Sequence, residues 1–422
     1  MKTLVTGGRV VDPSQDLDGF WDVLIDKGKV VDLLKPGARH AGAAVDAAGC
    51  VVTPGFVDLH THLREPGFEG KETILSGSRA AVAGGFTSIL CMANTEPVND
   101  IGAVTGYIVA KAKEAACKVY PVGATTLCLK GEKIANLGEL KAAGVAAYSD
   151  DGVPIRNSEI QRRIFELARQ FDMAVLVHAE DPDMAAEGQM HEGFTSTDLG
   201  LPGIPAAAEE IAVARDILLS QLTGCRLHIC HVSSAGALDL IRWAKKRRAP
   251  VTCEATPHHF TLIDEDVREY DTNCKVAPPL RGREDRAALI KGLADGAIDA
   301  IATDHAPHGV LLKQTEFDQA ACGIIGLETA LGLTLRLVQQ KKLTLRRAVE
   351  LLTCAPARVV GLDAGSLAPG KAADLCVFDP EAKFVYTVDR IRSKSRNSPF
   401  LNWELAGVVR ATMVDGRVVY PD

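Results

Sequence analysis

The sequence lacks a long apolar run, an excess of basic residues and any Cys-x-x-Cys pair, and each absence excludes a class of protein. No stretch reaches the roughly 18 consecutive apolar residues of a membrane-spanning helix. Residues 1–3 lead into the strand-like pair Leu4-Val5 rather than into the apolar segment of a secretion signal. A formal net charge of -7 argues against nucleic-acid partners and anionic membrane surfaces. We therefore expect a cytoplasmic protein with neither kind of partner.

The 11 cysteines are scattered, and several lie inside apolar runs such as residues 89–92. In a long chain without a secretion signal, this pattern favours reduced, buried thiols. Without a Cys-x-x-Cys pair, the structural zinc and redox motifs built on that spacing are excluded. Cys230 directly precedes His231, and strand alternation predicts that its side chain points to the opposite face.

One residue pattern repeats from Val51 to about His308. A short β-branched run is followed by a polar or Gly-containing loop and then by a segment with helical spacing. Eight strands alternating with helices are typical of a closed parallel barrel, so we predict an α/β fold with a (β/α)8 TIM-like barrel. A doubly wound open sheet is the alternative. The predicted strands are 51–56, 88–92, 118–122, 145–148, 174–177, 226–230, 251–254 and 297–302.

Both chain ends are rich in β-branched residues. Residues 21–31 surround Asp26-Lys27-Gly28, and residues 412–420 surround Asp415-Gly416, two hairpin signals. We predict that the two ends together form a small β-sandwich domain beside the barrel. The predicted parts are 1–50 and 361–422 for the sandwich and 51–360 for the barrel.

Ligand-type side chains follow five of the predicted strands. The carboxyl ends of barrel strands converge on one pocket, so residues distant in sequence become neighbours there. Four imidazoles and two carboxylates suit zinc or a similar divalent metal, and six donors exceed the need of one tetrahedral ion. The alternative for the His-x-His pair is two histidines with backbone partners. The candidate ligands are His60, His62, Asp151, His178, His231 and Asp304.

Such a ligand set predicts hydrolytic chemistry. Two metals about 3.5–4 Å apart lower the pKa of a shared water and polarise a carbonyl group. Asp304, at the end of the eighth strand, can accept a proton during the attack and return it to a leaving nitrogen. We therefore predict Asp304 as the catalytic acid and base.

Ten short motifs, spread over nearly the whole chain, carry a family resemblance. They are residues 54–64, 84–87, 92–95, 149–152, 178–180, 228–233, 278–281, 303–308, 323–329 and 393–397. In these motifs the chain resembles the dihydroorotases of the amidohydrolase superfamily, in the bacterial group with an acidic motif in place of a carboxylated lysine. The resemblance implies reversible hydrolysis of (S)-dihydroorotate to N-carbamoyl-L-aspartate, the ring-closing step of pyrimidine biosynthesis.

The resemblance also implies a division of labour among the ligands. His60, His62 and Asp304 would bind a first metal, His178 and His231 a second, and Asp151 would bridge them. The choice of Asp151 over Asp150 comes from the family motif. The expected cofactor is Zn²⁺, one or two ions per subunit, with the binuclear site favoured.

Substrate contacts carry over in the same way. Arg64, Asn94 and His308 would bind the substrate carboxylate, and an arginine fork suits that group. Ala277 stands where relatives have asparagine, and Ala93 where they have proline, so a side-chain contact to the ring is lost or replaced at 277. The expected substrate-binding residues are His62, Arg64, Asn94, Ala277, His308, Cys322 and Gly323.

The remaining histidines receive lesser predictions. His258 and His259 either support the site or pack in hydrogen-bonded positions. His305 would orient Asp304. His40 and His191 are expected in solvent.

Three other hypotheses remain open at this point. A hydantoinase, dihydropyrimidinase or allantoinase would share the barrel and much of the ligand set. A non-catalytic barrel could serve as a structural subunit of an aspartate transcarbamoylase complex, although such a chain would have lost ligands. For an active enzyme, a homodimer and an association with aspartate transcarbamoylase are the protein partners considered, and residues 309–321 could close over the substrate.

Overall fold

Short β-branched runs separated by helices form a parallel eight-stranded barrel in the computed structural model, which describes residues 2–37 and 42–421. Neighbouring strands pair in chain order, from Val57 beside Ser88 to Ala255 beside Ile301. A parallel bridge joins Thr61 to His305 and brings the end of the last strand beside the first. The predicted barrel is confirmed, and the open doubly wound sheet is wrong.

The strands fall into three parts of the chain. The N-terminal part contains β1 (Thr3–Thr6), β2 (Arg9–Asp12), β3 (Leu17–Phe20), β4 (Asp22–Asp26), β5 (Lys29–Leu34), β6 (Ala43–Asp46) and β7 (Val51–Pro54). The central part contains β8 (Phe56–Thr61), β9 (Phe86–Cys91), β10 (Lys118–Gly123), β11 (Ala147–Tyr148), β12 (Val175–Val177), β13 (Met190–His191), β14 (Gly203–Ile204), β15 (Leu227–Ile229), β16 (Val251–Ala255) and β17 (Ala300–Ile301). The C-terminal part contains β18 (Leu375–Val385), β19 (Glu404–Val414) and β20 (Arg417–Tyr420). Strands β13 and β14 pair with each other, and the other central strands form the barrel.

Helices cover the outside of the barrel. They are α1 (Ile74–Ala83), α2 (Gly102–Ala112), α3 (Leu137–Ala143), α4 (Ser158–Gln170), α5 (Pro182–Ala185), α6 (Phe194–Leu199), α7 (Ala206–Thr223), α8 (Ala235–Lys246), α9 (Arg283–Asp295), α10 (Ala330–Gln339), α11 (Leu345–Leu352) and α12 (Cys354–Val360). Helix α4 illustrates why they form: the Asn157 side chain caps its first turn, and Ile164 and Phe165 are buried. None of the helices in the described ranges has both the length and the apolar character that crossing a membrane requires.

The two chain ends meet in a β-sandwich. One sheet has the order β5-β4-β1-β6, and the other has the order β20-β19-β18-β7-β2-β3. Val5 and Val23 of the first sheet share a buried cluster with Val52, Leu375 and Met413 of the second. The predicted sandwich is therefore confirmed, because apolar faces from both ends cover each other.

The first predicted strand, residues 51–56, was wrong because it joins two elements. Strand β7 pairs with β18 and β2 of the sandwich, whereas β8 starts the barrel at Phe56. Between them lies Gly55, where a Cβ would come 2.1 Å from the Thr87 side chain. The chain therefore passes from sandwich to barrel at Gly55 rather than at residue 51, and His60 lies inside β8. The other seven predicted strands overlap barrel strands.

Candidate metal centre and active site

Six ligand-type side chains from five barrel strands meet at the carboxyl ends of those strands. His60 is the last residue but one of β8 and His62 lies just beyond that strand, and the other four follow β11, β12, β15 and β17. All six side chains are buried. Close atom pairs include His62 Nε2 to Asp304 Oδ1 at 3.1 Å, His178 Nδ1 to His231 Nε2 at 3.1 Å, His60 Nε2 to Asp151 Oδ2 at 3.3 Å and His231 Nε2 to Asp151 Oδ1 at 3.4 Å.

The structure separates the two neighbouring aspartates. Asp150 accepts hydrogen bonds from the backbone N–H of Thr125 at 2.6 Å and of Thr126 at 3.1 Å, and from the Thr126 hydroxyl. Its oxygens are therefore used in holding the β10 loop. Asp151 faces the histidines instead, so it is the member of the pair that the fold brings to the cluster.

Left-handed backbone at two positions turns side chains into the cluster. His231 has φ of +34° and Asp304 has φ of +46°, a region that non-glycine residues seldom adopt. At His231 this break in strand alternation allows Cys230 to point inward as well. Donor atoms of Cys230, His60 and Glu254 lie within 4.8 Å of one another. The predicted opposite-face orientation of Cys230 is wrong for this reason.

Unpaired atoms show that the cluster fits a cation. The Nδ1 of His60 lies 2.9 Å from Glu254 Oε1 and donates to it, so Nε2 is the nitrogen left for the cluster. That nitrogen faces Asp151 Oδ2 at 3.3 Å. His60 Nε2 and Asp151 Oδ1 are buried without a hydrogen-bond partner in the part of the chain that the structure describes. A metal ion between such donors would satisfy both.

The electrostatics of the cluster favour positive charge between its carboxylates. Burial alone would raise the pKa of Asp304, but the adjacent His60 and His62 outweigh it and hold the pKa below its usual range. The pKa of Asp151 is also held far below its usual range, because the adjacent His60 and His231 outweigh the effect of burial. Burial lowers the pKa of His60, yet the charges of Asp151 and Asp304 raise it well above the usual value. The imidazole and carboxylate donors therefore suit a divalent cation.

Side-chain oxygens contact the ring nitrogens of His60 and His62 that point away from the cluster. His62 Nδ1 lies 2.9 Å from Asn94 Oδ1, which leaves Nε2 for the cluster. Glu254 accepts hydrogen bonds from His60 Nδ1 and, at 3.0 Å, from His228 Nε2. Glu254 was missed from the sequence as a site residue; the available signal was an acidic residue inside an apolar strand, at the end of predicted strand 251–254.

Arg64 and His308 lie together beside the cluster. Arg64 is buried with φ of +63°, its Nε donates to the Pro307 carbonyl at 3.3 Å, and its Nη2 lies 3.4 Å from His308 Nε2. Burial lowers the pKa of Arg64 to about 10. Burial and the nearby Arg64 charge lower the pKa of His308 to about 3, so that ring is neutral. The pair therefore places a cation next to a neutral imidazole.

Gly323, another predicted substrate residue, lies beside His308. Gly323 has φ of +142°, and a Cβ there would lie 3.1 Å from His308 Cδ2, so the glycine packs directly against that ring. Its N–H donates to the Lys275 carbonyl at 2.9 Å. Cys322 is exposed and Ala277 is partly buried.

The predictions for His305 and His191 are not borne out by their contacts. His305 Nε2 faces Glu72 at 3.3 Å and its Nδ1 accepts from the Gly326 N–H at 3.2 Å, so the expected contact with Asp304 is wrong. His191 is half-buried, with Nδ1 3.2 Å from Arg281 Nη1, so it is not in solvent. His40 lies outside the described residues.

His258 and His259 are buried side by side. His259 bonds the Thr256 hydroxyl at 2.7 Å and the Pro278 carbonyl at 2.9 Å. Burial lowers the pKa of His258 to about 4. Hydrogen-bonded packing is therefore the role that the structure supports for His259.

The comparisons agree with this geometry. The model of the amidohydrolase family matches residues 51–419. A protein of Geobacter metallireducens named dihydroorotase is 52% identical over 422 residues, covering 100% of both chains. The chain belongs to the dihydroorotases of the amidohydrolase family. A dihydroorotase of Pelobacter propionicus is 53% identical, also over 100% of both chains.

Solved structures of other amidohydrolases share the fold. The L-hydantoinase of Arthrobacter aurescens superposes with a TM-score of 0.88 at 26% identity, covering 99% of this chain and 95% of its own. The dihydropyrimidinase of Brevibacillus agri gives 0.86 at 25% identity with the same coverage. The dihydroorotase relatives are thus about twice as similar in sequence as these cyclic-amide hydrolases.

Proposed function

We propose that this protein is a dihydroorotase that hydrolyses the ring amide of (S)-dihydroorotate to N-carbamoyl-L-aspartate and catalyses the reverse closure in UMP biosynthesis. The observation that carries the proposal is the buried cluster of six donors, in which His60 Nε2 and Asp151 Oδ1 have no hydrogen-bond partner among the described residues. Full-length relatives at 52% and 53% identity carry this name.

The proposed cofactor is Zn²⁺, with two ions favoured. One oxygen of Asp151 faces His60 and His62, at 3.3 and 3.4 Å from their Nε2 atoms. The other oxygen faces His231 and His178, at 3.4 and 3.8 Å. This arrangement supports a bridging role for Asp151, with His60, His62 and Asp304 on one ion and His178 and His231 on the other. When bound, such ions activate water and polarise the scissile carbonyl.

Asp304 is the proposed proton carrier. Its Oδ1 lies 3.1 Å from His62 Nε2, and its low pKa keeps the carboxylate ionised. It would take the proton from the attacking water and transfer it to the departing ring nitrogen, so one carboxylate serves both steps.

Arg64, His308 and Asn94 are the proposed contacts of the substrate carboxylate. Arg64 donates one N–H to Pro307, which leaves other N–H groups of its fork for an anion. His62, Ala277, Cys322 and Gly323 would line the ring. Because Ala277 has no polar side chain, only its backbone can bond the ring.

We also propose that the protein is cytoplasmic and that it acts as a homodimer, with an association with aspartate transcarbamoylase as a further partner hypothesis. Size-exclusion chromatography with light scattering, alone and with that enzyme, tests both associations. A monomer that elutes unchanged in the mixture would contradict them.

A hydantoinase or allantoinase activity is the second candidate. The fold superposition on an L-hydantoinase and the alanine at position 277 favour it. Against it stands Asp151, because those enzymes typically use a carboxylated lysine at the bridging position.

A side-by-side assay tests the assignment. We expect turnover of dihydroorotate, weak or no turnover of allantoin and 5-substituted hydantoins, and one to two zinc ions per chain by elemental analysis. Hydantoin or allantoin turnover without dihydroorotate turnover would overturn the substrate. A folded protein that takes up no divalent metal would overturn the centre itself.

A further inference from the structure

A buried carboxylate lies directly behind the metal-facing histidines. Glu254, near the end of β16, is fully buried inside the barrel. One oxygen lies 2.9 Å from His60 Nδ1, and the other lies 3.0 Å from His228 Nε2. The first of these oxygens also accepts the backbone N–H of His231 at 3.4 Å. Glu254 therefore acts on the site mainly through the His60 ring, with a longer contact to the His231 backbone.

The hydrogen bonds around Glu254 determine which nitrogen of each ring carries the proton. An ionised carboxylate only accepts, so both imidazoles must present N–H groups to it. His228 Nδ1 then accepts from the Thr252 hydroxyl at 2.8 Å, which completes the chain of bonds. For His60 the consequence is that the Nδ1 proton is held by Glu254, and Nε2 is the nitrogen directed at Asp151.

Donor atoms of His60, Cys230 and Glu254 lie close enough together to suggest a separate metal site. The only His60 nitrogen near Glu254 already donates its proton to that carboxylate, so it has no lone pair for an ion. The group is therefore a support for His60 rather than a separate site.

We propose that Glu254 is a positioning residue, which fixes the tautomer and ring orientation of His60 so that Nε2 binds the metal. The inference rests on the proposed function, because it assigns His60 as a ligand. A charged partner behind a ligating imidazole also raises its basicity, and loss of such partners typically weakens metal binding about 10- to 100-fold.

The decisive variant is Glu254→Gln, which keeps the volume and one acceptor but removes the charge. We expect its Zn²⁺ dissociation constant, measured by chelator competition on the full chain, to rise about 10- to 100-fold. The visible spectrum of the Co²⁺-loaded protein should shift, because the ligand field at His60 changes. Circular dichroism of the metal-free protein reports whether the variant folds.

Two further variants complete the design. Glu328→Gln is the matched control, because Glu328 is a largely buried carboxylate whose oxygens accept the N–H groups of Arg392 at 2.8 Å and Ser393 at 3.3 Å, with no imidazole between them. It should bind Zn²⁺ like the parent. Glu254→Asp retains the charge and should restore part of the affinity and of the Co²⁺ spectrum.

The results for these variants distinguish a failure of the inference about Glu254 from a failure of the proposed function. A folded Glu254→Gln protein with parental Zn²⁺ affinity and an unchanged Co²⁺ spectrum overturns the inference alone. If that variant does not fold, parental affinity in Glu254→Asp, whose shorter side chain cannot keep both contacts, overturns it. A parent protein that binds no metal overturns the proposed function and the inference with it.

Discussion

Asp304 is held in a left-handed backbone conformation, with φ of +46°, while its carboxylate contacts His62 and His60. A non-glycine residue in this region costs free energy that the surrounding contacts must offset. The cost is understandable if the position of the carboxylate matters more than local stability. This residue is therefore the first to test.

For Asp304→Asn we expect kcat for dihydroorotate to fall roughly 100- to 10,000-fold, because an amide cannot accept the proton. The fold should persist, since the amide retains the size of the side chain. Steady-state kinetics and thermal unfolding measure the two effects. The control is Asp295→Asn, a partly exposed carboxylate paired with Arg242, which should keep parental kcat. Parental turnover in the Asp304 variant would contradict the assignment.

Arg64 permits a test of substrate charge recognition. In Arg64→Lys the positive charge remains but the forked donor is lost, and a hydrogen bond to a charged group contributes about 1.5–3 kcal/mol. We expect KM for dihydroorotate to rise roughly 10- to 100-fold with a smaller change in kcat. Arg268→Lys, at an exposed ion pair with Asp198, should change neither constant. An unchanged KM for the Arg64 variant would remove this residue from the substrate site.

At the scale of elements, the junction between sandwich and barrel depends on Gly55. The residue links β7 to β8, and a Cβ there would meet the Thr87 Oγ1 at 2.1 Å and Cγ2 at 2.2 Å. Because Thr87 is itself buried in β9, neither side can give way without moving a strand.

We predict that Gly55→Ala lowers the free energy of unfolding by about 1–3 kcal/mol, the usual cost of overpacking. Urea denaturation measures it. Gly106→Ala in α2, where a Cβ meets nothing within 4 Å, should be neutral or stabilising by up to about 1 kcal/mol. Adding Thr87→Ala to Gly55→Ala should recover part of the loss, since it removes the two nearest atoms. Equal stability of the two glycine variants would contradict the junction argument.

At the scale of the whole molecule, the candidate centre consists of side chains from five strands that are far apart in sequence. An ion that binds only the folded state stabilises it by about 2.7 kcal/mol at a hundredfold excess over its dissociation constant. We therefore expect chelation to lower the Tm by several degrees, and added Zn²⁺ to restore it.

Differential scanning calorimetry of parent and Asp151→Ala provides this test. The variant lacks the oxygens that face both histidine pairs, so its Tm should respond little to chelator or Zn²⁺. The same shift in both proteins would mean that the ion stabilises the fold elsewhere.

Much of the fold and the candidate site could be predicted from the sequence, because the period of apolar residues and the strand-end positions of ligand types are local properties. The barrel, the sandwich and the set from His60 to Asp304 follow from that pattern. The passage at Gly55 could not be predicted, since residues 51–56 read as one β-branched run. Their separation depends on β18, which lies more than three hundred residues later in the chain.

What the sequence by itself determined is the type of chemistry: which donors exist, and that strand ends in a parallel barrel bring them together. Only the tertiary structure decided how those donors are used. It assigned Asp150 to the β10 loop and Asp151 to the histidines, turned His305 toward Glu72, and placed Glu254 behind His60. The physical reason is that a hydrogen-bond partner depends on direction and distance across strands, which the order of residues along one strand does not contain.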